Sequence, residues 1–140
     1  MKWGFTGSQR GTSDKVILKL LKSLKLTSKD TLVTGACIGL DAQIAILAAK
    51  HYPKVPQLII YPGPKYKVDK RLSHLKMNFG AENVKYIFMK VNTTYRMRNE
   101  RLVEESDKII AFWTGVKRSG TYMTMNIAKK VNKLEKVVRI

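Results

Sequence analysis

Cysteine is nearly absent: Cys37 is the only one, which excludes an intramolecular disulfide and leaves no sign of an oxidising compartment. Histidine is equally scarce. His51 and His74 are too few and too far apart to make a metal site, even with the lone cysteine, so neither a metal nor another cofactor is expected. Long apolar runs are missing too, which excludes a membrane-spanning segment, and Trp3-Gly4-Phe5-Thr6-Gly7 enters without the apolar stretch of a secretion signal. The expectation is a soluble, unprocessed chain in a reducing cytoplasm, with no membrane partner.

Acidic residues are the fourth shortage. Ten Asp and Glu stand against 27 Lys and Arg, a formal charge of +17, and such a field favours polyanions. Nucleic acid and polyphosphates are thus candidate partners, with a basic surface that merely keeps a small protein soluble as the alternative. No repeat, low-complexity tract or linker divides the 140 residues, and 44% hydrophobic content suits one domain, 1–140, with its own core.

What is present is a regular alternation of short β-branched or aromatic runs with longer amphipathic stretches. Strands are predicted at Lys2–Thr6, Thr31–Thr34, Leu58–Tyr61, Val84–Met89, Lys108–Trp113 and Lys136–Ile140. Helices are predicted at Ser13–Leu24, Leu40–His51, Val68–Phe79, Thr94–Ser106 and Thr121–Val131. This order implies a Rossmann-like, three-layer α/β/α fold with a mainly parallel sheet of about six strands. In the first helix Val16, Leu20 and Leu24 can form a buried stripe, while Lys15, Lys19 and Lys22 form a solvated face. Tyr61-Pro62-Gly63-Pro64-Lys65 ends a strand. Lys65, Lys67, Lys70 and Arg71 after it make either an exposed loop or a basic flap over a phosphate.

In an open sheet of this type ligands bind beyond the carboxyl ends of the strands. Four loops follow predicted strands there. In the first, Gly7, Ser8, Gln9, Arg10 and Gly11 combine close backbone approach, a hydroxyl and a guanidinium, the components of a phosphate site at a helix start. The plain alternative is a tight turn. In the second, Gly35 and Gly39 flank Cys37 and lead to Asp41, which suits a ribose hydroxyl or base, or simply caps its helix. Cys37 has no evident base partner and reads as a packing residue.

The third loop leads into Arg98, Asn99 and Arg101. The planar donor forks of Arg98 and Arg101 fit phosphate or carboxylate, or pair with Glu104 or Glu105. The fourth, Thr114 to Thr121, carries Ser119, Gly120 and Thr121 at a helix start, again fit for phosphate. Tyr95 and Tyr122 are candidate stacking rings, whereas Trp3, Phe5, Phe112 and Trp113 lie in strands and read as core.

On Gly4-Phe5-Thr6-Gly7-Ser8-Gln9-Arg10-Gly11, Gly35-Ala36-Cys37-Ile38-Gly39-Leu40-Asp41, Arg98-Asn99 through Ser106-Asp107, and Ser119-Gly120-Thr121, the chain resembles the SLOG superfamily. Its small Rossmann-like members are common in bacteria and phages. The superfamily includes the LONELY GUY phosphoribohydrolases, a DNA-processing protein A domain that binds single strands, and sensors of nucleotide-derived signals. The resemblance implies a nucleotide-related ligand. The phosphoribohydrolases carry an Arg, matched by Arg98, and a Gly-Gly-x-Gly-Thr-x-x-Glu motif. Here Thr124 stands where that motif has its acidic residue, and threonine is a poor substitute for a group that activates water. Asp41 or Glu100 would have to replace it.

The reading therefore leans to a non-catalytic domain that binds or senses a nucleotide-derived phosphorylated small molecule. Arg10, Arg98 and Lys117 would neutralise its charge, and Asp41 and Asn99 would fix ribose or base. Two alternatives stay open, an N-glycosidic hydrolase or transferase acting on nucleotides and a single-stranded nucleic-acid-binding protein. A homodimer is a further possible partner arrangement.

Overall fold

The computed structural model describes residues 1–63 and 67–140. Strands β1 (Lys2–Gly7), β2 (Thr31–Gly35), β3 (Gln57–Tyr61), β4 (Val84–Phe88), β5 (Lys108–Trp113) and β6 (Leu134–Arg139) alternate with helices α1 (Asp14–Ser23), α2 (Leu40–His51), α3 (Leu75–Phe79), α4 (Tyr95–Glu105) and α5 (Gly120–Lys130). All neighbouring strands pair in parallel, in the order β4-β3-β2-β1-β5-β6. The chain thus lays strands outward from β1 to one edge, then returns to the other side of β1 with β5. At that reversal the loops after β1 and β5 lead to opposite faces and leave a crevice between them.

Neighbouring strand residues bury in opposite directions, which is why these strands read as continuous apolar runs. Leu32, Ile110 and Phe112 pack with α1 and α2, whereas Val33, Ile60 and Ile109 pack with Leu102 and Val103 of α4 and Ala128 of α5. A third cluster joins Ile59 to α2 and to Leu72 and Leu75. Helix α2 is apolar on nearly every side because it lies against the sheet between α1 and α3, and even Asp41 in its first turn is buried. On α1, Ile17, Leu20 and Leu21 face the core, Val16 and Leu24 flank them, and the lysines lie outside.

Only α2 and β5 have the predicted bounds, and most other elements differ by a residue at an end. Helix α1 begins at Asp14 because Ser13 is its N-cap, accepting from the Val16 N–H. The stretch predicted as one helix from Val68 divides: Val68 bridges to Cys37, Asp69 caps a 3-10 turn over Lys70–His74, and only Leu75–Phe79 is α-helical before Gly80 ends it at φ +82°. Strand β4 stops at Phe88. Strand β6 starts earlier, at Leu134, and ends at Arg139. Being an edge strand it is largely solvated, so its polar first half hides it from a hydrophobicity reading. Of the basic flap considered above, Lys65 lies outside the described residues, as does Pro64, and Arg71 is held by Asp69 at 2.7 Å.

Among the described residues no helix is long and apolar enough to cross a membrane, and no three His, Cys, Asp or Glu side chains gather as a metal site would require.

Candidate functional site

The crevice at the β1/β5 reversal has a volume of about 780 Å³. Its walls come from the loop after β1, the loop before α2, the first turns of α4, the loop after β5, and the length of α5. Gly7, Ser8, Gln9, Asp41, Arg98, Asn99, Ser119, Gly120 and Thr121 all line it, so residues up to 114 positions apart in sequence share one cavity. Arg10, Gly11, Gly35 and Gly39 are not on its walls. Arg10 is exposed, with its own N–H turned back to Ser8 Oγ at 3.1 Å. Gly11 packs on Gln43, whose amide brackets the Thr12 backbone.

Two glycines earn their place by packing behind the wall. At Gly39 φ is +94°, and a side chain there would run into the Gln9 backbone, so glycine lets the first two loops touch. A Cβ at Gly35 would fall on the Arg98 guanidinium and 2.6 Å from Asp41 Oδ2. Glycine at 35 therefore makes room for a buried ion pair.

That pair is the electrostatic centre of the floor. Arg98 Nη1 meets Asp41 Oδ2 at 3.4 Å, Nη2 reaches Cys37 Sγ at 3.9 Å, and the Tyr95 ring lies 5.8 Å from the guanidinium carbon. Arg98 Nε is buried with no hydrogen-bond partner among the described residues. Burial pushes the Asp41 carboxyl above its usual range, and the charge of Arg98 opposes that rise. Burial likewise raises the Cys37 thiol, which argues against an activated nucleophile. Asp41, considered above as a ribose ligand or a cap, thus spends part of its charge on Arg98.

The opposite wall is the start of α5. Ser119 Oγ accepts from the Tyr122 N–H at 3.1 Å and donates to the Val116 carbonyl at 2.8 Å, fixing the turn. Beyond it the first amides of α5 have no intrahelical acceptor, and the helix dipole adds positive potential there. Ser119→Ala should cost about 1–2 kcal/mol in urea denaturation, because an N-cap and a loop clamp go together.

Thr124, at the position of the phosphoribohydrolase acid, is fully buried and donates to the Gly120 carbonyl at 2.9 Å within the helix. Glu100 pairs with Arg96 on the surface at 3.0 Å, and Arg101 pairs with Glu105 at 2.9 Å, the outcome in which the arginine serves its own helix. The site residues missed in the sequence are Asn126 and Lys130, which follow Tyr122 along one face of α5 into the crevice. Their i, i+4, i+8 spacing from Tyr122 was the available signal.

Six parallel strands, helices on both faces and a crevice at the strand reversal define a Rossmann-like α/β protein. This fold is shared with a solved structure, DNA processing protein A (DprA) from Streptococcus pneumoniae. The two superpose with a TM-score of 0.70 over 96% of this chain and 49% of that chain, at 16% sequence identity. The chain spans about half the length of that protein, and the likeness is one of fold. No protein-family model matches the chain, and no curated protein matches it in sequence.

Proposed function

We propose that residues 1–140 are a single SLOG-like domain that binds a nucleotide-derived, phosphorylated small molecule in the crevice, as a binding or sensing module. The observation that carries this is the charge of the walls. Arg96, Arg98, Lys117, Arg118 and Lys130 line the crevice against one carboxylate, Asp41; Arg98 is paired with that carboxylate and Arg96 with Glu100 on the surface, which leaves Lys117, Arg118 and Lys130 as the excess positive charge. A cavity so biased, with a helix N-terminus opening into it, favours a phosphate.

Ser119, Gly120 and Thr121 would hold the phosphate, with Gly7, Ser8 and Gln9 facing it across the crevice. Lys117 and Arg118 would neutralise it in place of the outward-lying Arg10. Asn99, buried with its amide 3.6 Å from Met123 Sδ, would read ribose or base.

A thermal-shift screen against nucleoside phosphates, cyclic and ADP-ribose-type nucleotides and short single-stranded DNA tests the proposal. A ligand at about one hundred times its Kd should raise Tm by roughly 10 °C. No shift from any small molecule would remove this reading.

A second reading, single-stranded nucleic acid, is favoured by the +17 charge and by the fold shared with a protein named for DNA processing. It predicts a response to oligonucleotides alone that falls steeply with salt. Turnover of an N-glycosidic bond would show as free base from a nucleotide panel; the buried hydroxyl of Thr124 in place of an acid weighs against it.

A further inference from the structure

Tyr122 sits at the third position of α5, two residues beyond Gly120, and it lines the crevice. It is not a free aromatic. The ring lies against the Trp113 indole with centroids 5.4 Å apart and planes 23° from parallel. Trp113 is locked in turn, since its Nε1 donates to the Val116 carbonyl at 2.9 Å, the same carbonyl that receives the Ser119 hydroxyl. The Arg139 guanidinium lies over that indole at 5.4 Å and against Gly115, whose φ of +93° and lack of a side chain make the space for it. Tyr122, at the crevice beside the N-terminal amides of α5, is thus packed on Trp113, which in turn packs with Arg139 from β6.

We infer that the Tyr122 ring, backed by Trp113 and Arg139, is a prebuilt stacking platform for the heterocyclic base of a nucleoside phosphate whose phosphate lies at Ser119–Thr121. The inference rests on the proposed function and names the part of the ligand that discriminates it from a simple sugar phosphate. Base-on-aromatic stacking is tolerant of base identity, because every base offers a π face. A ring already immobilised by its neighbours loses little freedom when a base lands on it. Independently of the stack, Arg98 in the floor is only 8% exposed, and its buried Nε has no partner among the described residues.

The test uses two readouts on the full chain. Calorimetry compares the four common nucleoside 5′-monophosphates with ribose 5-phosphate, and emission of Trp113 is followed in a Trp3→Phe background, where it is the only indole. The monophosphates should bind roughly 5- to 100-fold more tightly than ribose 5-phosphate and should change Trp113 emission, while ribose 5-phosphate leaves it unchanged. Tyr122→Leu should reduce the monophosphates to the affinity of ribose 5-phosphate, and Tyr122→Phe should bind as the native chain does.

If the monophosphates and ribose 5-phosphate bind alike, or if Tyr122→Leu keeps the preference for a base, the stacking platform is wrong and the phosphate site stands. If no monophosphate binds, the stacking platform falls, and the proposed function falls with it only when the wider small-molecule screen is silent too.

Discussion

Gly120→Asp should abolish ligand binding while leaving the fold as stable as before, or more so. A side chain at position 120 meets nothing within 4 Å, and its φ lies outside the left-handed region, so the substitution carries no steric or backbone cost. Position 120 opens α5, where a carboxylate complements the helix dipole by about 0.3–1 kcal/mol and glycine is replaced by a less flexible residue. The ligand experiences the opposite. A carboxylate about 4 Å from a phosphate costs roughly 4 kcal/mol at the effective dielectric of a protein surface, which lowers affinity by on the order of 100- to 1000-fold. Lys117 and Arg118 would soften this by turning to the new carboxylate. Gly120→Asn supplies the same bulk without the charge and should lose far less. Calorimetry and thermal denaturation read the two effects separately. Equal affinity in the native chain and in Gly120→Asp would place the phosphate elsewhere, since no anion could sit at the head of α5 beside that carboxylate.

The parts of this molecule legible in the sequence are those that depend on neighbours along the chain. The β-branched runs Thr31–Thr34 and Lys108–Trp113 are strands because both faces are buried, and the four glycine- or hydroxyl-bearing loops follow strands because the topology repeats. The edge strand β6 was placed late, since Leu134, Glu135 and Lys136 carry little hydrophobic signal when one side is water.

Within the site, the approach of the loops after β1 and β5 follows from the strand order, which the alternating pattern alone does not specify. The Arg98–Asp41 pair was invisible for the same reason. Its members lie 57 residues apart, and the local pattern offered Asp41 a helix cap and Arg98 a glutamate on its own helix. The space for the pair comes from Gly35 on a third element. Trp113 reads as core by its strand, yet it is only half-buried; the geometry of the β5–α5 turn lays its ring face against Tyr122, and Arg139 from β6 lies over the indole. Arg10, conspicuous in its loop, is exposed and does not line the crevice.

Arg98→Ala should destabilise the protein by about 3–5 kcal/mol at neutral pH, the cost of leaving a buried carboxylate without its counter-charge, and the loss should shrink in acid. Burial already holds the Asp41 carboxyl above its usual range, against the pull of Arg98. Between the ordinary carboxylate pKa and the raised folded value, the native chain binds more protons at Asp41 than the unfolded chain does. Stability contributed there is present at low pH and is lost as pH rises through the folded value.

Removing Arg98 takes away both its charge and its hydrogen bond, which lower the carboxyl, and leaves only the Cys37 backbone hydrogen bond to oppose burial, so the folded value climbs further and the window extends upward. The difference between Arg98→Ala and the native chain is therefore largest above that window. It is smallest at the acid end, where burial favours the neutral carboxyl of Asp41. Urea denaturation from pH 4 to 8, read as the difference between the two chains, cancels the carboxylates they share. Arg98→Ala with Asp41→Asn should recover much of the neutral-pH loss and flatten the difference, because no charge remains buried. A loss of the same size at every pH, unrelieved by the second substitution, would mean that Arg98 supports the crevice floor through its packing under Tyr95 and against Cys37, with its charge contributing nothing.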